Sequence, residues 1–127
     1  MKNVLIVDAA PMFREFLKDK LSEEKIQVTV IPEKCDAIIK MNSLLPDLAI
    51  FDLNEFENID YFLELLSDIK SDPNASRVPL IATGPATSRE TLSSFIKYGI
   101  YKYFNKPIKF DVFFKSSLFI GSPVPHL

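Results

Sequence analysis

Five short runs rich in branched and aromatic residues, each separated from the next by a stretch of helical periodicity, constrain this chain more than any other feature. Val4, Leu5, Ile6 and Val7 form a continuous apolar run that stops at Asp8, the pattern of a strand covered on both faces. Comparable runs occupy residues 26–31, 48–51, 78–83 and 101–104. Between them the apolar positions recur at helical spacing: Phe13, Phe16, Leu17 and Leu21, then Ala37, Ile38 and Met41, then Phe62, Leu65, Leu66 and Ile69. A fourth helix, carrying Leu92, Phe95 and Ile96, is opened by a capping box of Thr87 with Glu90 and closed by Gly99. A fifth, over residues 109–119, presents Phe110, Phe113 and Phe114 on one side.

Strands alternating with helices connect through crossovers, so the sheet is predicted to be parallel, with helices on both faces. The right-handed crossover rule and short connections favour an α/β, doubly wound, flavodoxin-like sheet of five strands in the order 2-1-3-4-5. A chain of 127 residues with 47% hydrophobic and 25% charged residues supports one domain with its own core, taken as residues 1–120, and residues 121–127 read as a tail or linker stub. A net charge of −2 gives no basic footprint for nucleic acid, and no apolar run is long enough to span a membrane. The lone Cys35 and lone His126 exclude a zinc site and an internal disulfide on ligand count, which makes a reducing, cytoplasmic compartment the expectation.

Sheets of this type carry their sites beyond the carboxyl ends of the strands. Those ends hold Asp8, Asp52, Thr83 and, just past the fifth strand, Lys106. A carboxylate can be a nucleophile, two carboxylates can hold Mg²⁺ together with waters, and a hydroxyl and an ammonium can bind phosphoryl oxygens. Each also has an ordinary use, as a helix cap for Asp8 and Asp52, a strand terminus for Thr83 and a solvated charge for Lys106. Gathered in one crevice, the four point to the handling of a phosphoryl group.

The segments Val4-Leu5-Ile6-Val7-Asp8, Pro46-Asp47-Leu48-Ala49-Ile50-Phe51-Asp52-Leu53-Asn54, Ile81-Ala82-Thr83 and Tyr103-Phe104-Asn105-Lys106-Pro107 together resemble the receiver domain of bacterial two-component response regulators over residues 3 to 119. The resemblance implies a phosphorelay role rather than an enzyme. Asp52 would accept a phosphoryl group from a histidine kinase or phosphotransfer protein. Asp8, Asp52 and the backbone carbonyl of Asn54 would serve Mg²⁺, and Thr83 and Lys106 would contact the phosphoryl group. Tyr103 takes the place of the aromatic switch, and the Lys106-Pro107 peptide is implied to be cis. The surface from the fourth to the fifth helix would meet an output domain, a partner protein or a second copy in a homodimer, with Tyr98, Tyr101 and Phe119 as candidate apolar contacts.

Three departures stand against that family's pattern. Ala9 replaces the second acid of the usual pair, the one that normally touches the metal, so Mg²⁺ is expected to bind more weakly. Glu55-Phe56-Glu57-Asn58-Ile59-Asp60 replaces the usual proline and Asp-Gly turn, with Glu55 or Glu57 as substitute ligands or plain solvated acids. Gly84-Pro85 follows Thr83, and Pro85 stiffens a segment that a switching Thr83 would move. These departures leave a pseudo-receiver, a phosphorylation-independent protein-interaction module, as the alternative. An aspartate-nucleophile phosphatase is disfavoured because the position two residues after Asp52 is Asn54 rather than an acid.

Overall fold

The computed structural model describes residues 2–7, 10–32, 36–53 and 59–109. The branched run after Lys2 forms β1 (Asn3–Val7), and the next three elements are α1 (Pro11–Glu23), β2 (Gln27–Ile31) and α2 (Ala37–Leu44). They are followed by β3 (Leu48–Asp52), α3 (Ile59–Ser71), a 3₁₀ turn (Ala75–Arg77), β4 (Leu80–Gly84), α4 (Arg89–Lys97) and β5 (Ile100–Asn105). All four strand pairings are parallel and the order is β2-β1-β3-β4-β5, the flavodoxin-like arrangement expected from the alternation of elements. The expected fifth helix, with Phe110, Phe113, Phe114 and Phe119, and the 121–127 tail lie outside the described residues.

Why the apolar runs are continuous is visible in the core. Leu5, Val7, Ala49, Phe51 and Ala82 pack under Met41 of α2, Phe62, Leu65, Leu66 and Ile69 of α3, and Phe95 of α4. Their strand neighbours Val4, Ile6, Leu48, Ile50 and Ile81 turn to the opposite face and pack with Leu17 and Leu21 of α1. Successive residues therefore serve opposite faces, and both faces are covered. Among the described residues no helix is long and apolar enough to cross a membrane.

Helix ends follow local chemistry, with one change from expectation. Pro11 opens α1, where its missing N–H has no helical partner to lose. The cap of α4 is Ser88, one residue beyond the Thr87 of the expected capping box: Ser88 Oγ accepts from the Thr91 N–H at 3.1 Å. Both residues carry a hydroxyl, and the one whose backbone is extended with a free N–H three residues on takes the role. Gly99 ends α4 at φ +110°, as its position required. Phe16 and Ile96, read from periodicity as core positions, are 38% and 62% exposed instead, because each lies at the margin of its helix's apolar stripe.

Candidate functional site

Register, more than any single side chain, builds the site. Asp52 ends β3 directly beside Thr83 of β4, and Gly84 pairs with Asn105 at the end of β5, one residue before Lys106. The order of strands reverses between β1 and β3, so these carboxyl ends border the crevice where such sheets hold ligands.

Thr83 Oγ1 donates to Asp52 Oδ1 at 2.8 Å, and Lys106 Nζ stands 2.6 Å from the same oxygen. The Ala10 N–H, at the threshold of α1, donates to Asp52 Oδ2 at 3.1 Å. Asp52 is fully buried, and an ammonium, a hydroxyl and an amide directed at it offset the cost of burying a carboxylate. Among the described residues, Oδ1 meets two donors and Oδ2 one. No buried side-chain nitrogen or oxygen among the described residues lacks a partner.

Lys106 has a second restraint. Its ammonium sits 4.3 Å from the centroid of the Phe13 ring, in the first turn of α1. The peptide that follows, Lys106-Pro107, is cis.

Tyr103 turns inward from β5 and packs on Phe95, ring centroids 5.7 Å apart, while its hydroxyl donates to the Pro85 carbonyl. Gly84 makes that approach possible: a Cβ there would stand 2.6 Å from the Tyr103 hydroxyl and 2.5 Å from the Leu53 carbonyl oxygen. Burial, and secondarily the charge of Asp52, raises the Tyr103 phenol to about 12. A pKa raised above the usual tyrosine value of 10.0 means the neutral phenol stabilises the fold below that value, and the contribution is lost as pH climbs through about 12. In an alkaline absorbance titration we expect a late tyrosinate component with a midpoint near 12 that disappears in Tyr103→Phe. Persistence of that component in the variant would assign the shift to another tyrosine.

Asp52, Thr83 and Lys106 are thus brought into direct contact, and Tyr103 lies one strand residue from the Thr83 neighbour Phe104. Asp8 and Asn54, the other expected metal ligands, lie outside the described residues, as do Ala9, Glu55 and Glu57. Of the apolar residues expected on the α4 side, Tyr101 is exposed and Tyr98 packs partly against the core. Four contributors were not anticipated: the Ala10 amide, the Phe13 ring, the Gly84 gap and the Pro85 carbonyl. Backbone groups leave no signature in a sequence, and Phe13 fits an ordinary helical core stripe. Only the Gly84-Pro85 pair stood out, and it suggested stiffness rather than a hydrogen-bond acceptor.

Comparison with known proteins agrees with the architecture. The family model described as "Response regulator receiver domain" matches residues 4–116. An uncharacterized 14.6 kDa protein of Leptolyngbya boryana is 28% identical over 106 residues, covering 84% of this chain and 79% of that protein. Among solved structures, the chemotaxis protein CheY4 of Vibrio cholerae superposes with a TM-score of 0.81 at 19% identity, covering 94% of this chain and 98% of its own. The receiver domain of a sensor histidine kinase from Pseudomonas aeruginosa, solved with a magnesium ion coordinated in its active site cleft, gives a TM-score of 0.76 at 19% identity and covers 95% and 98%. At these identities the superpositions speak for the fold.

Proposed function

The chain belongs to the response regulator receiver domain family, and from that premise we propose that Asp52 is its phosphoacceptor. The observation that carries this reading is the meeting of Thr83 Oγ1 and Lys106 Nζ on Asp52 Oδ1, at 2.8 and 2.6 Å. In the proposed step a carboxylate oxygen of Asp52 attacks the phosphorus of a phosphohistidine. An O–P bond forms, the N–P bond breaks, and the departing imidazole nitrogen takes a proton from solvent. Lys106 offsets negative charge on the phosphoryl oxygens and Thr83 donates a hydrogen bond to one of them. The donor is a histidine kinase or phosphotransfer protein in the cytoplasm, and the signal passes to an output domain or partner through the surface that includes α4 and β5. The working unit is residues 1–120, with 121–127 as a tail.

The family binds Mg²⁺ at this place, and the donor chemistry here suits a hard ion that retains most of its waters. Among the described residues Asp52 Oδ2 meets one donor, the Ala10 N–H, and no group of three or more acidic, histidine or cysteine side chains gathers. Asp52, with Asp8 and the Asn54 carbonyl, would hold the ion. When bound it supplies further neutralisation of the transferred group.

A second reading, a phosphorylation-independent docking module, is favoured by the full burial of Asp52 and by Ala9 in place of an acid. Incubation of the intact chain with Mg²⁺ and a small acyl phosphate or phosphoramidate, followed by intact mass measurement, separates the two. We expect one added phosphoryl group, absent in Asp52→Asn. An unchanged mass for the native chain would favour the docking module.

A further inference from the structure

The first turn of α1 delivers two contacts to the same ion pair. The Ala10 N–H meets Asp52 Oδ2 at 3.1 Å, and three residues on the Phe13 ring covers the Lys106 ammonium at 4.3 Å. Asp52 and Lys106 are themselves 2.6 Å apart, so carboxylate and ammonium are bracketed by one helical turn. Phe13 is itself held, packed against the α1-side core that includes Leu17, Leu21 and Ile50. A ring fixed from below presents its negative face to whatever cation lies above it, and the attraction strengthens where water is excluded. The Lys106 side chain is only 27% exposed and its partner carboxylate is fully buried, which meets that condition.

We propose that Phe13 is a positioning residue for phosphoryl transfer: its ring confines the Lys106 ammonium to the Asp52 side of the crevice, where incoming phosphoryl oxygens must pass. This inference rests on the reading of Asp52 as phosphoacceptor. A lysine has four rotatable side-chain bonds and a strongly hydrated head, so the ring adds to the Asp52 ion pair in holding the ammonium out of water. The confinement is electrostatic as well as steric, so an aliphatic side chain of similar bulk does not replace it, while another aromatic does.

The test compares Phe13→Leu with Phe13→Tyr in the full chain, with two readouts. The first is the rate of phosphoryl uptake from a small acyl phosphate in the presence of Mg²⁺. The second is the NMR shift of the Lys106 side-chain methylene protons, which a ring stacked on the ammonium displaces. Phe13→Leu is expected to slow uptake by roughly tenfold and to abolish the ring-induced displacement, while Phe13→Tyr retains both. Native rates and shifts in Phe13→Leu would overturn the proposal. So would a Phe13→Tyr variant as slow as Phe13→Leu, because the effect would then be one of packing shape. If the native chain takes up no phosphoryl group, the phosphoacceptor reading fails while the proton shifts still decide whether Phe13 places Lys106.

Discussion

Phe51→Ala is expected to lower the unfolding free energy by about 3–5 kcal/mol, the largest loss we anticipate for a single core change. Phe51 is fully buried in the central strand β3, and its ring meets that of Phe62 at 5.5 Å between centroids. Phe62 in turn meets Phe95 edge-on at 5.5 Å, and Phe95 meets Tyr103 at 5.7 Å. The aromatic series therefore runs from β3 through α3 and α4 to β5. Truncation leaves a cavity that collapses poorly, because the backbone on either side of Phe51 is tied by ladders to β1 and β4. Two effects add: the lost transfer energy of the ring and the lost contacts of Phe62. By contrast, Tyr101→Ala removes a side chain that is 66% exposed, and we expect a change within about 0.5 kcal/mol. Urea denaturation with an unchanged slope measures both. A Phe51→Ala loss below about 1 kcal/mol would mean that the sheet closes over the gap and that the aromatic series is not a rigid unit.

Much of this arrangement is legible in the sequence, for reasons that also explain what is not. Val4 to Val7 and Leu48 to Phe51 are continuous because both faces of a parallel sheet are buried, and an acid ending such a run marks its carboxyl terminus. The register that sets Asp52 beside Thr83 brings the ends of two such runs to the same edge of the sheet. Side-chain chemistry at strand ends is therefore readable. Positions decided by one residue of phase are less so: Thr87 and Ser88 both offer a cap, and only backbone geometry selects Ser88. Phe13 and Phe16 share a helical stripe with Leu17 and Leu21, yet Leu17 and Leu21 are buried, Phe16 lies outside the core and Phe13 reaches the site. An aromatic residue at core spacing gives no sign that a lysine just past the end of β5, distant in sequence, will stand over it. The Ala10 amide is invisible for a simpler reason, since every residue but proline has one.

Lys106→Met is expected to be the most damaging change at the site, on two separate scales. Removing one partner of a buried ion pair leaves the other charge uncompensated, a loss of about 3–5 kcal/mol when both partners are fully buried. Here the Lys106 side chain is 27% exposed and Asp52 keeps the Thr83 hydroxyl and the Ala10 amide, so the lower end of that range, about 3 kcal/mol, is expected. Adding Asp52→Asn removes the stranded charge, and the double variant is expected to recover part of the loss. The coupling energy of the cycle is expected at about 1–3 kcal/mol. On the proposed reading of Asp52 as phosphoacceptor, Lys106 would neutralise the transferred group, and its loss is expected to slow phosphoryl uptake by about a hundredfold or more, whatever the stability of the domain. Denaturation of the four members of the cycle gives the coupling, and uptake rates measured below the unfolding transition give the catalytic loss. Additive stabilities would show that the 2.6 Å contact contributes nothing beyond its parts. Native uptake in Lys106→Met would remove the lysine from the phosphoryl site altogether, and with it the reason for Phe13 to hold it there.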